Sequence, residues 1–310
     1  VSTSPCLVAV DWGTSSFRLW LMSRDGTVLA EHRSKEGMSE VAERGFELVL
    51  ESHLSTLAVP QDIPVVICGM AGSRQGWVEA GYIDIPADLT IIGQNATIVP
   101  GTARRIIILP GLAVRSLSEP DVMRGEETQL LGAHFEMPSG TCYCMPGTHS
   151  KWVSMDGATV SGFETFMTGE LFATINAKTI LAHSTGGKGD VDAHDPAFLT
   201  GVRDGWTRPE KTTHHLFSIR AGQLLYGHGL DESRARLSGL LIGAELAGAG
   251  INGGEQIGLV ASGVLQRLYH AALSECGVNV RDIDADVAVR RGLIESWQHF
   301  SNTSGDQKRP

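Results

Sequence analysis

The sequence predicts an α/β protein built from two related domains. Three observations carry this: a strand–turn–strand–hairpin unit occurs twice, short apolar strands end in glycine turns, and helical apolar spacing fills the chain between them.

Residues 7–10 are an apolar run expected as a buried strand, followed by Asp11 and the small-residue turn Gly13-Thr14-Ser15-Ser16. Residues 17–22 are the next strand, Asp25-Gly26 is a hairpin signal, and residues 27–30 are a third strand. This is not the P-loop plan, in which a Gly-rich loop opens a helix and carries a lysine. Backbone N–H groups and hydroxyls in such a hairpin can wrap a phosphate, and Asp11 can hold a hydrated Mg²⁺ beside it. One acidic residue before a Gly-Thr turn is equally plain turn chemistry. The repetition favours phosphate: strand 141–145, turn Gly147-Thr148-His149-Ser150, strand 151–155, Asp156-Gly157 and strand 158–160 follow the same order. Two such hairpins suggest two domains facing a nucleotide.

Between the units, residues 45–57 space Phe46, Val49, Leu50, Leu54 and Leu57 as a helix. Strand 65–68 ends in the glycine-punctuated loop 69–77, the place where α/β proteins hold ligand groups. Ser73, Arg74 and Trp77 are its candidates. A planar guanidinium beside Gly-rich backbone suits a carboxylate; the bland alternative is a solvated charge and a surface-packed indole. After strand 106–109 a boundary is expected near Leu112, giving an N-terminal domain 1–112, a C-terminal domain 113–300 and a polar tail 301–310.

Residues 121–128 (Asp-Val-Met-Arg-Gly-Glu-Glu-Thr) enter a helix and concentrate Asp121, Glu126 and Glu127 at its start, where acids ordinarily answer the macrodipole. Thr168 is a natural N-cap for a helix to about residue 180. Residues 184–209 read as a loop, 217–225 and 234–249 as helices, the latter with small residues that allow close contact. Strand 257–261 turns through Ser262-Gly263 into helix 264–276, a corner whose free N–H groups suit a nucleotide. Residues 285–300 are the last helix.

The formal charge of −10 argues against general nucleic-acid or anionic-membrane binding. Five scattered cysteines fit a reducing cytosol, and neither a membrane span nor a signal peptide is evident, so a soluble cytoplasmic protein is expected. Cys142-x-Cys144 near His149 lacks zinc spacing and reads as core; His214-His215 reads as a solvated loop. No Gly-x-Ser-x-Gly elbow occurs.

The Asp11 hairpin, the Gly147 hairpin and the Ser262-Gly263 corner together resemble the phosphate-1, phosphate-2 and adenosine motifs of the actin/hexokinase ATPase superfamily. That resemblance implies two ribonuclease H-like domains with an interdomain nucleotide cleft. VDWGTSSFRLWL, GMAGSRQGW, DVMRGEE, MPGTHSKWV, TGELFA and AVRRGL, in this order, narrow it to the 2-dehydro-3-deoxygalactonokinase family. The resemblance implies phosphorylation of 2-dehydro-3-deoxy-D-galactonate at its 6-hydroxyl, with ATP and Mg²⁺. Asp11, Gly13, Thr14 and Ser15 would then meet the phosphates and the metal, with Gly147, Thr148 and His149 opposite and Ser262 and Gly263 at the adenosine. Ser262 stands where the commoner form has a first glycine. Glu126 is the first candidate for the base and Asp121 the second, since Arg-Gly-Glu-Glu stands where related sugar kinases have Gly-Asp. Arg74 would hold the substrate carboxylate, with Ser73 and Trp77 near it and Arg18 and Lys151 behind. The partners expected are the sugar acid and ATP, with a homo-oligomer as an option. The competing readings are a kinase of the same fold for another sugar or sugar acid, and a non-kinase actin-like ATPase.

Overall fold

Near-continuous burial along Pro5–Trp12 and Val65–Gly69 makes these the central strands of a mixed sheet. A computed structural model describes residues 4–41, 44–187 and 189–303. The chain divides into two units: residues 1–139, 156–162 and 285–310 form the first, and residues 140–155 and 163–284 the second. The expected division at residue 112 differs from this one. Helix Glu126–Glu136 and the last helix, Ala285–Thr303, cross where Gly132 faces Ala288 and Gly292 faces Thr128, each glycine touching the other helix's backbone. That contact keeps residues 113–139 and the last helix in the first unit. Residues 301–303 extend the last helix, and the remainder of the expected tail lies outside the described residues.

In the first unit, six strands run in the order Val28–Ser34, Phe17–Ser23, Pro5–Trp12, Val65–Gly69, Ile106–Ile108, Thr97–Ile98. Pro5–Trp12, Val65–Gly69 and Ile106–Ile108 are parallel, so their C-terminal ends carry Asp11 and Gly69 to one edge. Trp12, Phe17, Phe46 and the aliphatic faces of these strands form the core on one side. Trp20, Val66 and Ile107 meet Val289, Leu293 and Phe300 of the last helix on the other. A small sheet joins Asp121–Met123, Gly111–Val114 and Tyr82–Asp84.

In the second unit, Asn279–Asp284, Gln256–Ala261 and Cys142–Met145 are parallel, and Ser150–Asp156 runs antiparallel to the last of these. The expected loop 184–209 contains helix Pro196–Thr207, started by Asp195, whose carboxylate accepts from Ala197 N–H at 2.7 Å. This helix lies against Leu230–Gly248 so closely that Gly201, Gly205, Gly239 and Gly243 have no room for a Cβ. His214-His215 is not a loop either. It lies in the first turn of helix Thr212–Tyr226, with His215 buried. Among the described residues no helix is long and apolar enough to cross a membrane.

Candidate functional site

Hairpin register decides the first constellation. Asp11 and Arg18 are directly opposed on neighbouring strands, and Arg18 donates to the Asp11 carboxylate. Arg18 also donates to Asp286, in the first turn of the last helix, and Arg33 donates to the other Asp286 oxygen at 2.6 Å. Burial would raise the Asp286 carboxyl, but the two guanidinium groups hold it below the usual carboxylate range. For Asp11 burial wins, and its carboxyl is raised despite Arg18. Arg18, expected near a substrate, is thus engaged in orienting Asp11. The turn after Asp11 closes by a bond from Gly13 N–H to Ser16 C=O at 2.9 Å, and Thr14 and Ser15 stay exposed.

Gly69 and Gly125 have positive φ, 92° and 104°, and a Cβ on Gly125 would lie 3.3 Å from the Gly69 Cα. This close approach sets the start of helix Glu126–Glu136 against the end of strand Val65–Gly69. Glu126 opens the helix half-buried, and its Oε2 accepts from Arg124 N–H at 3.0 Å. Asp121 does not reach the helix start. It lies on strand Asp121–Met123 opposite Val114, and its carboxylate accepts from Val122 N–H at 2.7 Å.

Glu127, which sequence alone marks only as a helix-start acid, is fully buried. Its Oε2 accepts from Gly125 N–H at 2.7 Å and its Oε1 from the Thr128 hydroxyl at 2.9 Å. Burial, and then the neighbouring Glu126, push its carboxyl up to about 7. The folded protein therefore keeps a proton that the unfolded chain releases near the ordinary 4.5. Stability from this group is complete below pH 4.5 and is lost as pH rises to about 7. Urea unfolding from pH 5 to 8 should show that loss, and Glu127→Gln should remove roughly 3 kcal/mol of it. A variant with the wild-type pH slope would refute the assignment.

On loop 69–77, Ser73 is buried and its hydroxyl donates to Met38 Sδ at 3.3 Å. Trp77 stacks on Phe46 with centroids 6.0 Å apart and packs against the core. Arg74 is the exposed member, 81 % accessible, with Nε 3.6 Å from Glu79. Arg124, which no sequence pattern singles out, is a further cation at this loop. Its guanidinium lies over the Tyr82 ring at 4.4 Å and against Gly72, and Nη2 donates to Gly81 C=O at 2.7 Å. Its Nε and Nη1 are buried without a hydrogen-bond partner among the described residues.

In the second unit, helix Thr168–Lys178 is shaped to the Gly147 hairpin. Gly169 touches Gly147 C=O, Glu170 N–H donates to Thr148 C=O at 3.0 Å, and the Glu170 carboxylate meets His149 Nε2 at 2.6 Å. Thr168 is the first helical residue rather than the N-cap, which is Met167, and its hydroxyl serves Glu245. Buried Glu245 also accepts from Trp152 Nε1–H at 2.9 Å and from the Tyr269 hydroxyl at 2.7 Å, while Ser150 Oγ lies 3.0 Å from that hydroxyl. One carboxylate thus ties the hairpin strand, the Thr168 helix and the helix that follows Ser262. Ser262 and Gly263 are exposed, and no atom lies within 4 Å of where a Gly263 Cβ would be. Lys151 is buried, its Nζ donating to Thr165 Oγ1 at 2.9 Å. Of the pair expected in the core, Cys144 is buried there and Cys142 packs against it half-buried; no group of three or more His, Cys, Asp or Glu that could hold a metal occurs among the described residues.

The sequence profile of the 2-keto-3-deoxy-galactonokinase family matches residues 11–296. The chain is 53 % identical over 296 residues to the protein named Probable 2-dehydro-3-deoxygalactonokinase DgoK1 of Rhizobium meliloti (strain 1021), covering 94 % of this chain and 97 % of that one. It is 36 % identical over 290 residues to the 2-dehydro-3-deoxygalactonokinase of Escherichia coli (strain K12), covering 92 % and 95 %. A crystal structure of a 2-dehydro-3-deoxygalactonokinase-type protein from Sinorhizobium meliloti superimposes with TM-score 0.90 at 52 % identity, covering 94 % and 98 %. At the level of fold alone, the chain is similar to the 2-hydroxyisocaproyl-CoA dehydratase activator of Clostridium difficile, solved with bound ADPNP (TM-score 0.54, 13 % identity, 98 % of each chain). The fold is the actin/hexokinase ATPase type.

Proposed function

Because the chain belongs to the 2-keto-3-deoxy-galactonokinase family, we propose that it transfers the γ-phosphoryl group of ATP to the 6-hydroxyl of 2-dehydro-3-deoxy-D-galactonate. The observation that carries this reading is the grouping of Asp11, Gly69, Gly125 and Glu126 at the C-terminal ends of the parallel strands of the first unit. Glu126 takes the proton of the attacking hydroxyl, the hydroxyl oxygen bonds to the γ-phosphorus, and the bond to the ADP oxygen breaks. The transition state of such transfer is loose, so positioning outweighs base strength. Gly13, Thr14 and Ser15 bind phosphate oxygens through N–H and hydroxyl donors, as do Gly147, Thr148 and His149; Ser262 and Gly263 border the adenosine.

Asp11 fits a Mg²⁺ that arrives with the nucleotide. It is one buried carboxylate beside hydroxyl residues, and Mg²⁺ favours one or two carboxylates plus phosphate oxygens and retained waters. When bound, the ion neutralises phosphate charge. Arg18 and Asp286 fix the direction in which Asp11 presents its oxygens. The acid group of the substrate is met by Arg74 at the exposed lip of loop 69–77, with Arg124 lying against Gly72 of the same loop. Supply of ATP and five free cysteines favour work in the cytoplasm.

Coupled ADP release with a panel of acceptors tests the reading. Turnover should be high on 2-dehydro-3-deoxygalactonate and lower on other keto-deoxy acids. Turnover on a neutral hexose with none on the acid would move the protein to a different sugar kinase activity. In the same assay, Arg74→Ala should raise KM for the acid about tenfold while KM for ATP stays within about twofold, the loss of one exposed charge-assisted pair. A matching rise in KM for ATP would contradict its assignment.

A further inference from the structure

Helix Thr212–Tyr226 is apolar on the side it buries and also on the side it shows. His215, Ile219 and Gly222 face inward. Phe217, Ala221, Leu224 and Leu225 recur at helical spacing on the opposite face. Phe217 is 64 % exposed, Leu224 65 %, Leu225 72 % and the adjoining Tyr226 78 %. A solvated helix should reverse this pattern. The segment contains no Asp or Glu in a chain of net charge −10, and its one arginine, Arg220, is turned to Gln223 (2.6 Å) and Ser184 (3.2 Å). Covering this face therefore buries no carboxylate or guanidinium of this helix, and exposed His214 heads it.

We propose that this face is the homodimer interface of the protein, with Thr212–Tyr226 packed on the same helix of a second copy across a twofold axis at Ala221. The stripe is symmetric about that residue: Phe217 lies four positions before Ala221 and Leu225 four after. A twofold axis at Ala221 sets Phe217 of each copy against Leu225 of the other along one i±4 ridge. The small side chain at the centre lets the helices approach closely.

The area agrees with this occupant. The three large apolar side chains on this face, Phe217, Leu224 and Leu225, offer roughly 400 Å², and Tyr226 borders it at the helix end. A stable interface buries about 800 Å² per partner, roughly 65 % apolar in homodimers, so this face supplies most of the apolar core that such an interface needs. None of the residues assigned to catalysis or ligand binding lies on this helix, so the dimer does not depend on the kinase reading.

Sedimentation equilibrium on the full chain from about 1 to 100 μM tests it. The wild type should be a dimer through most of that range. Phe217→Glu should sediment as a monomer, at least about a hundredfold weaker in association, with unchanged helix content and unchanged kcat. Ala221→Cys, under mild oxidation, should give a disulfide-linked dimer that the wild type does not form. A monomeric wild type at about 100 μM would overturn the proposal, and so would a Phe217→Glu dimer. Wild-type monomers that bind neutral vesicles through this helix would assign the face to a membrane surface and overturn it as well.

Discussion

Glu126→Gln should lower kcat by about 10²–10⁴ and leave KM for both substrates within a few-fold. Gln retains the shape of the side chain and an oxygen that can still accept from Arg124 N–H, as Glu126 Oε2 does at 3.0 Å. The helix start, set by Gly125 against Gly69, is therefore preserved, and what is lost is the ability to take a proton. An effect on kcat without one on KM is the mark of an interaction made in the transition state. Single-turnover quench kinetics at saturating ATP separate chemistry from product release. Asp121→Asn is the control: on a separate strand and bonded to its own neighbour's N–H, Asp121 should contribute less than about tenfold. If the Asp121 variant falls about a hundredfold and the Glu126 variant does not, the base is Asp121.

Asp11→Asn is the second large effect. Loss of the carboxylate should reduce kcat by about 10²–10³, the scale of removing one electrostatic contact at a transferring phosphoryl group. The Asn oxygen can still accept from Arg18, so the position of the side chain is kept and what is lost is the negative charge. Nucleotide affinity measured by calorimetry with and without Mg²⁺ gives an independent readout: the Mg²⁺-dependent gain in wild-type affinity should shrink in Asp11→Asn. An unchanged rate at saturating ATP, with an unchanged Mg²⁺-dependent gain, would remove Asp11 from the site.

Local pattern makes part of this site legible. The Asp11–Arg18 pair is a cross-strand neighbour in a hairpin whose turn residues are explicit, so strand assignment nearly implies it. The glycine turns after Trp12, Cys68 and Met145–Pro146 follow likewise from strands that end where small residues begin. Asp286 cannot be reached in this way, since it meets Arg18 across 268 residues of chain. Glu245 is similar, gathering Trp152 from 93 residues away and Tyr269 from 24. Such partners are set by packing, which sequence periodicity does not encode.

Two helices depart from expectation for local reasons. Helix Pro196–Thr207 carries its start signal in Asp195-Pro196, but Gly201 and Gly205 lower its apparent propensity. Those glycines are there for contact with Leu230–Gly248, a reason visible only in the folded unit. Helix Thr212–Tyr226 begins after Lys211 with no side-chain cap, so nothing marks His214-His215 as helical. Strand Asn279–Asp284 escapes a reading of the sequence because Asn-Val-Arg-Asp-Ile-Asp is mostly exposed at the sheet edge and offers no apolar run. Glu127 illustrates the limit at the site itself. Two adjacent glutamates are indistinguishable in sequence, yet one opens the helix half-buried and the other is sealed beneath it.

The proposed reaction is phosphoryl transfer to a primary alcohol rather than hydrolysis of ATP. Proton-coupled ³¹P NMR of the products formed from ATP and 2-dehydro-3-deoxygalactonate separates the two. A new phosphomonoester signal, split by the pair of protons on the esterified carbon and growing in step with ADP, is the result expected of transfer to the 6-hydroxyl. Inorganic phosphate growing in step with ADP, with no ester signal, would contradict it.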